Sequence, residues 1–149
     1  MEVRRLGTAV VPVLAAAGLG GLGARGAPET YGRLRKPGWA PPAAAFGPVW
    51  SVLYAGIAAA GWRLSARGSA ATTRLHLAQL ALNGAWPVVF FTVRDKRASL
   101  AVIGALDAVV AAEVLRLRRE DPVAAVLLLP YLAWSGFATA LNAAVSDPG

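Results

Sequence analysis

The run AAAFGPVWSVLYAGIAAAGW, residues Ala43–Trp62, is twenty residues long and contains no Asp, Glu, Lys or Arg. A helix rises about 1.5 Å per residue, so this run spans roughly 30 Å, the thickness of a bilayer's hydrocarbon core. A helix in a water-soluble bundle needs a polar stripe facing solvent, and this segment is apolar all round. It reads as a membrane span.

Four further runs of similar length flank it: Leu6–Ala24, Leu75–Val93, Ala98–Leu115 (interrupted by Asp107 and Glu113) and Pro122–Val145. The whole chain of 149 residues is 56% hydrophobic with mean hydropathy +0.52. Soluble domains sit nearer 45–50% apolar, roughly. The expected fold is therefore an all-α membrane protein, a single domain over residues 1–149 with five transmembrane helices in a compact bundle. A soluble alanine-rich bundle is the competing reading, and the first and fifth runs, apolar on every side, argue against it. The first run also has the charged start and small-residue end of a secretory signal, but its 19 residues favour a retained span.

The net charge of +7 does not point to nucleic acid, because the basic residues fall between the runs, as anchors at the two membrane faces. Eight (Arg4, Arg5, Arg63, Arg67, Arg74, Arg116, Arg118, Arg119) lie on one side of a five-span chain. Seven (Arg25, Arg33, Arg35, Lys36, Arg94, Lys96, Arg97) lie on the other, a balance too even to orient it. With no cysteine and His76 as the single histidine, thiolate ligation, an all-protein zinc site and bis-histidine haem are excluded. No metal and no required cofactor are expected. Any porphyrin-like ligand must be held by its faces and edges.

Later connections are short, which makes consecutive helices antiparallel neighbours. The first, Arg25–Pro42, is long and contains KPGWAPP, so a structured cap over one end is expected. Small residues four apart, Ala17–Gly21, Gly56–Ala60 and Ala81–Ala85, suit close helix approach within the bundle or between two copies in a homodimer.

Three runs carry stripes of rings with a few hydrogen-bonding groups. Phe46, Trp50 and Tyr54 are spaced i, i+4, i+8; Gln79, Asn83, Trp86, Pro87 and Phe90 share a face of the third run; Tyr131, Trp134, Ala138, Leu141 and Asn142 share a face of the fifth. Amides in lipid must find partners, so these faces turn inward, where they suit either a planar apolar ligand with polar edges or plain helix packing. Tyr31, Trp39 and Trp62 flank spans, as interfacial aromatics do. Asp107 lies mid-span and is either functional or paired with His76 or an interior amide; Glu113, nearer the run's end, is expected to snorkel to the interface. Ser51 or Ser135 with His76 and Asp107 lacks any nucleophile-elbow sequence, and GLGGLG at Gly18 lies within a span, so hydrolase and phosphate-loop chemistry are set aside.

KPGWAPPAAAFGPVWSVLY, QLALNGAWPVVFF and PYLAWSGFATALN, in that order and spacing, resemble the tryptophan-rich sensory protein family of TspO and mitochondrial translocator (peripheral benzodiazepine receptor) proteins. The likeness runs from about Tyr31 to Asn142. It implies a five-helix bundle, often dimeric, whose pocket near the capped end takes porphyrins such as protoporphyrin IX. It implies a receptor or sensor acting in tetrapyrrole regulation, transport or stress response, multi-pass and in a bacterial cell membrane. Ligand contacts carried over are Trp39, Phe46, Trp50, Tyr54, Asn83, Trp86, Phe90, Tyr131, Trp134, Ala138 and Leu141. A second reading, light- and oxygen-dependent degradation of protoporphyrin, would make Trp50 and Trp134 the reactive, catalytic groups. Animal members continue past the last motif with a tyrosine and an arginine linked to sterols; here Asn142 is followed by Ala143, Ala144 and Val145, which speaks against sterol binding there.

Overall fold

The computed structural model describes residues 1–147. Helices α1 (Glu2–Gly23), α3 (Phe46–Arg67), α4 (Ala70–Pro87), α5 (Lys96–Glu120) and α6 (Pro122–Ala144) are the five long ones. A short α2 (Ala27–Arg33) lies in the first connection, and no strand occurs among the described residues. By length and apolarity α1, the Ala43–Arg67 segment, α5 and α6 are each able to cross a membrane. The helix that falls short is α4, and the reason is the inward polar stripe of Thr72, His76, Gln79 and Asn83, all buried.

Sequence punctuation sets the boundaries. Ser69 and Asp95 cap α4 and α5 by accepting from the backbone N–H of Thr72 and Ala98, at 3.2 and 2.9 Å. Asp121 caps α6 by accepting from Val123 and Ala124, with Pro122 in the first turn, where a missing N–H costs nothing. The same Asp121 carboxylate takes a forked pair of bonds from Arg63 at 3.0–3.2 Å, tying α3 to the α5–α6 corner. After Pro87 the chain widens into a π-type turn, Val88–Val93, and leaves it through Arg94 at φ 61°, a left-handed conformation unusual for a side-chain-bearing residue.

The helices form a ring in the order α1, α3, α6, α5, α4 and back to α1. Although only Gly68 and Ser69 join α3 to α4, these two hardly touch, because α1 packs against both. The core runs down the ring's axis through Ile57, Leu80, Leu106, Val110, Leu128 and Tyr131. Of the small-residue pairs, Gly56 faces the Leu127 carbonyl of α6 and Ala60 is buried, while Ala81 is exposed.

The first connection is ordered. The Tyr31 hydroxyl of α2 donates to the Pro41 carbonyl at 2.6 Å, and the Lys36 ammonium donates to the carbonyls of Tyr31 and Leu34. Arg35 and Ser146 exchange backbone bonds, so the cap is stitched to the chain leaving α6. Glu113 corrects the reading from its sequence position. It is fully buried and bonded to His76 rather than reaching for the interface, because the ring order sets α5 beside α4.

Gly23 is where α1 ends hard against the π-type turn. A Cβ there would lie 2.7 Å from the Val88 backbone nitrogen, and the Gly23 carbonyl accepts from Thr92. Gly23→Ala should therefore cost about 1–3 kcal/mol, an overpacking penalty, measured as a lowered thermal midpoint in detergent. The Arg63 guanidinium holds the Asp121 carboxyl below its usual value of 3.8. A folded value below the unfolded one adds stability that is fully present above about pH 4 and is lost as pH falls through the folded value. Asp121→Ala should lower stability by about 1 kcal/mol or more from the lost cap alone, and the gap to the unchanged protein should narrow in acid.

Candidate functional site

A cavity of about 300 Å³ opens at the capped end, where α3 and α4 diverge and α1 closes the gap. Phe46, Trp50 and Tyr54 form the α3 wall, spaced as one helical face. Asn83, Trp86 and Pro87 come from α4, and Phe91 from the π-type turn. Ala17, Gly20 and Gly21 of α1, with Ala24 directly after it, make a flat opposite wall, and Ala27, Pro28 and Tyr31 of the cap form the roof. The lining is largely apolar, with polar atoms concentrated at Tyr54 and Asn83.

Those polar atoms begin a chain across the bundle. Tyr54 donates to Asn83 Oδ1 at 2.8 Å, Asn83 Nδ2 donates to the Tyr131 hydroxyl at 2.9 Å, and Tyr131 donates to Gln79 Oε1 at 2.8 Å. Three helices are thereby locked at one level, and lipid offers these groups no alternative partner. A turn nearer the cap, the Trp86 indole donates to Asn142 Oδ1 at 2.9 Å. Trp50 leans on Tyr54 with centroids 5.4 Å apart and on Tyr131 edge-on at 6.2 Å, so its ring plane is fixed by neighbours.

Of the eleven residues singled out from sequence, the structure brings Phe46, Trp50, Tyr54, Asn83 and Trp86 to this cavity. Tyr131 stands directly behind the wall as the hub of the hydrogen-bond chain. Phe90 and Leu141 are in a second cluster with Tyr31, Leu34 and Val145, where the cap's own side chains fill the space between the end of α4 and α6. Trp134 packs edge-on against Phe46 at 5.8 Å and beside Phe137, and Ala138 is buried in the core of the ring. Trp39 is half exposed, its ring edge-on to Phe137 at the rim. Trp50 thus lines the cavity, whereas Trp134 packs on Phe46 and is not part of the cavity wall.

The α1 wall is absent from the ligand contacts expected from sequence, where Ala17 and Gly21 stand only as a helix-packing pair. Its signal was present in the spacing of Ala17, Gly20, Gly21 and Ala24, which places small residues on one helical face; that pattern equally suits helix packing. Phe91 and Tyr31 needed the π-type turn and the cap's path, which no local pattern announces. Asp107 accepts from Thr139 at 2.6 Å, so its partner is a hydroxyl of α6 rather than His76 or an amide. In the roof, burial raises the Tyr31 phenol above its ordinary value.

The sequence profile of the TspO/MBR family matches residues 8–146. The human protein named Translocator protein is 36% identical over 118 residues, covering 75% of this chain and 70% of its own. Tryptophan-rich sensory protein of Cereibacter sphaeroides is 37% identical over 115 residues, 76% and 73% of the two chains. Tryptophan-rich protein TspO of Archaeoglobus fulgidus is 32% identical over 149 residues, 97% of each.

Asn83 carries two of the three bonds in the chain at the cavity's inner edge. Asn83→Ala should leave the Tyr54 hydroxyl without its acceptor and the Tyr131 hydroxyl, which still donates to Gln79, without its donor, and cost about 2–4 kcal/mol, taking roughly 1–2 for each bond lost. Tyr54→Phe, which loses one bond, should cost about half as much. Thermal unfolding of the two variants side by side checks the order.

Proposed function

The chain belongs to the TspO/MBR family, and from that premise we propose that this multi-pass integral membrane protein is a receptor or sensor whose cavity takes a porphyrin or another planar, mainly apolar ligand. The observation that carries the proposal is the cavity's construction: flat on the α1 side, walled by rings on the α3 and α4 sides, with a single polar edge at Tyr54 and Asn83. A planar ligand gains by stacking on Trp50 and Trp86 and by excluding water from the glycine and alanine face of α1. Its carboxylates would be drawn to the arginines and Lys36 that crowd the capped end.

Two further features support a larger occupied site than the cavity alone. The Trp134 indole and the Asn142 amide each keep a buried N–H without a partner, Trp134 packing on Phe46 and Asn142 following Leu141, two residues of the cluster that Tyr31 and Leu34 of the cap join. Buried donors without acceptors are rare in native proteins. A ligand oxygen entering as the cap withdraws would satisfy them, and that movement would also bring Phe90, Ala138 and Leu141 within reach. On this reading we propose a bacterial cell membrane as its location, and a homodimer that works without a resident cofactor or metal.

Of the two candidate reactive indoles, Trp50 lines the cavity and Trp134 does not, which makes Trp50 the one on which the alternative, light-driven degradation of the bound pigment, would depend. One experiment addresses both. Purified protein in detergent is titrated with protoporphyrin IX while tryptophan emission is followed, and the pigment is analysed after illumination. Saturable quenching is expected, and Gly20→Leu, which projects a side chain toward Pro87 and Tyr54, should weaken it about tenfold or more, about 1.4 kcal/mol. Trp39→Phe, at the rim, should bind within about twofold of the parent, a difference worth only a few tenths of a kcal/mol. Absence of saturable quenching sinks the binding proposal; binding that leaves the pigment intact in light sinks degradation alone.

A further inference from the structure

At the other end of the bundle, away from the cavity, His76 and Glu113 form a pair that the proposed ligand site does not use. His76 Nδ1 and Glu113 Oε1 are 2.7 Å apart, and both side chains are buried, Glu113 completely. Each keeps one further polar atom buried and without a partner: His76 Nε2 and Glu113 Oε2. Gln79 Nε2, one turn along α4, is a third. The imidazole is fitted closely into place, since a Cβ on Gly61 of α3 would lie 2.8 Å from its Nε2. A purely structural buried pair has its remaining lone pairs and protons satisfied, because half-satisfied pairs cost more than an apolar contact. This one does not.

With a neutral imidazole and an ionised carboxylate the pair carries one net negative charge in the bilayer interior, which is costly. Adding one proton makes it net neutral, as imidazolium and carboxylate or as imidazole and carboxylic acid. The surroundings supply no other compensation. Gly61 faces the ring from α3, whose nearest cation, Arg63, is committed to Asp121. The buried face of α1 is Ala9, Val13, Ala16, Gly20 and Gly23, with nothing titratable. On α5, Arg116 is exposed, Glu120 is taken up by Ser69 and Thr72, and Asp107 accepts from Thr139 of α6 through Oδ2 while its Oδ1 is buried without a partner, which adds no positive charge. On α4 itself Arg74 is exposed, and α6 contributes the Tyr131 hydroxyl.

We propose that His76 and Glu113 are a buried proton-exchange site, loaded and unloaded from the membrane face opposite the cap. On that side Thr72, one turn from His76, donates to Glu120 Oε1 at 2.9 Å, so a carboxylate at the end of α5 is linked to the interior. On the other side the chain Tyr54, Asn83, Tyr131, Gln79 has every donor pointing away from the cavity and toward Gln79, whose free N–H₂ lies a turn from the pair. Changing the charge at the pair repolarises that chain, and the Tyr54 hydroxyl on the cavity wall is its far end. The site therefore makes the cavity's polar edge sensitive to proton supply on the opposite face.

The composition makes the test direct, because the chain has one histidine and three tyrosines. Protein labelled with ¹⁵N-histidine and ¹³C-tyrosine in lipid nanodiscs is followed by NMR between about pH 5 and 9, a window set around the ordinary histidine range. No ligand is added, so failure of porphyrin binding leaves this result unaffected. The His76 ring nitrogens should convert reversibly between neutral and protonated patterns, or a buried glutamic acid infrared band should appear over the same range. The Tyr131 and Tyr54 signals should move with it while Tyr31, in the cap, stays still. Glu113→Gln should remove the conversion from the window, because a lone imidazolium would be left without its counter-charge. One unchanging histidine pattern and no carboxyl band in a folded protein overturn the exchange site. Conversion that persists in Glu113→Gln overturns the pairing, and still tyrosines overturn the coupling to the cavity. If Glu113→Gln does not fold, Thr72→Val replaces it: slower proton exchange at His76 is expected, and an unchanged rate overturns the entry route.

Discussion

The polar stripe of α4 has to be satisfied inside the bundle, and much of the structure follows from that requirement. Thr72, His76, Gln79, Asn83 and Trp86 recur on one face, and hydrocarbon supplies no hydrogen-bond partner for any of them. Each finds one on a neighbouring helix: Glu120 and Glu113 on α5, Tyr131 and Asn142 on α6, Tyr54 on α3. These bonds register α3, α5 and α6 against α4 at successive turns. Packing alone, between helices rich in alanine and leucine, would leave sliding and rotation only weakly opposed. A helix too polar to span by composition thus becomes the one on which the others are indexed.

The cavity is a consequence of the same ring. Because α1 sits against both α3 and α4, these two helices separate toward the cap, and the glycines and alanines of α1 are too small to fill the space between them. Above it the cap is held by local bonds from Tyr31 and Lys36 and by one backbone exchange with Ser146. Its inserted side chains, Tyr31 and Leu34, occupy ground that the aromatic stripe of α6 would otherwise open onto. The cavity wall and the capped cluster share Phe46 and Trp86, so the two adjoin as one aromatic region.

Local patterns in the sequence announced a good deal of this. The length and uniform apolarity of the runs gave the helices within a few residues, and the prolines and glycines of Arg25–Pro42 gave the cap. The i, i+4, i+8 spacing put Phe46, Trp50 and Tyr54 on one wall, because helical periodicity survives any arrangement of neighbours. The α1 wall stayed hidden, since small residues look the same whether they face a helix or a cavity. Glu113 misled for a related reason: its distance along the run suggested the interface, whereas what holds it inside is a histidine thirty-seven positions earlier.

The sequence by itself determined which five long segments are helical, that they belong to a membrane protein, where the cap lies and which faces of the second, third and fifth runs are polar or aromatic. All of these are local properties, set by helical period and by transfer from water to hydrocarbon. Only the tertiary structure decided the ring order, and with it the partner of every buried polar group: Tyr54 with Asn83, His76 with Glu113, Asp107 with Thr139. Pairings between distant positions depend on how helices rotate and slide against one another, and no single segment carries that information. The same arrangement decided that Trp50 faces the cavity while Trp134, with a similar sequence setting, packs behind Phe46.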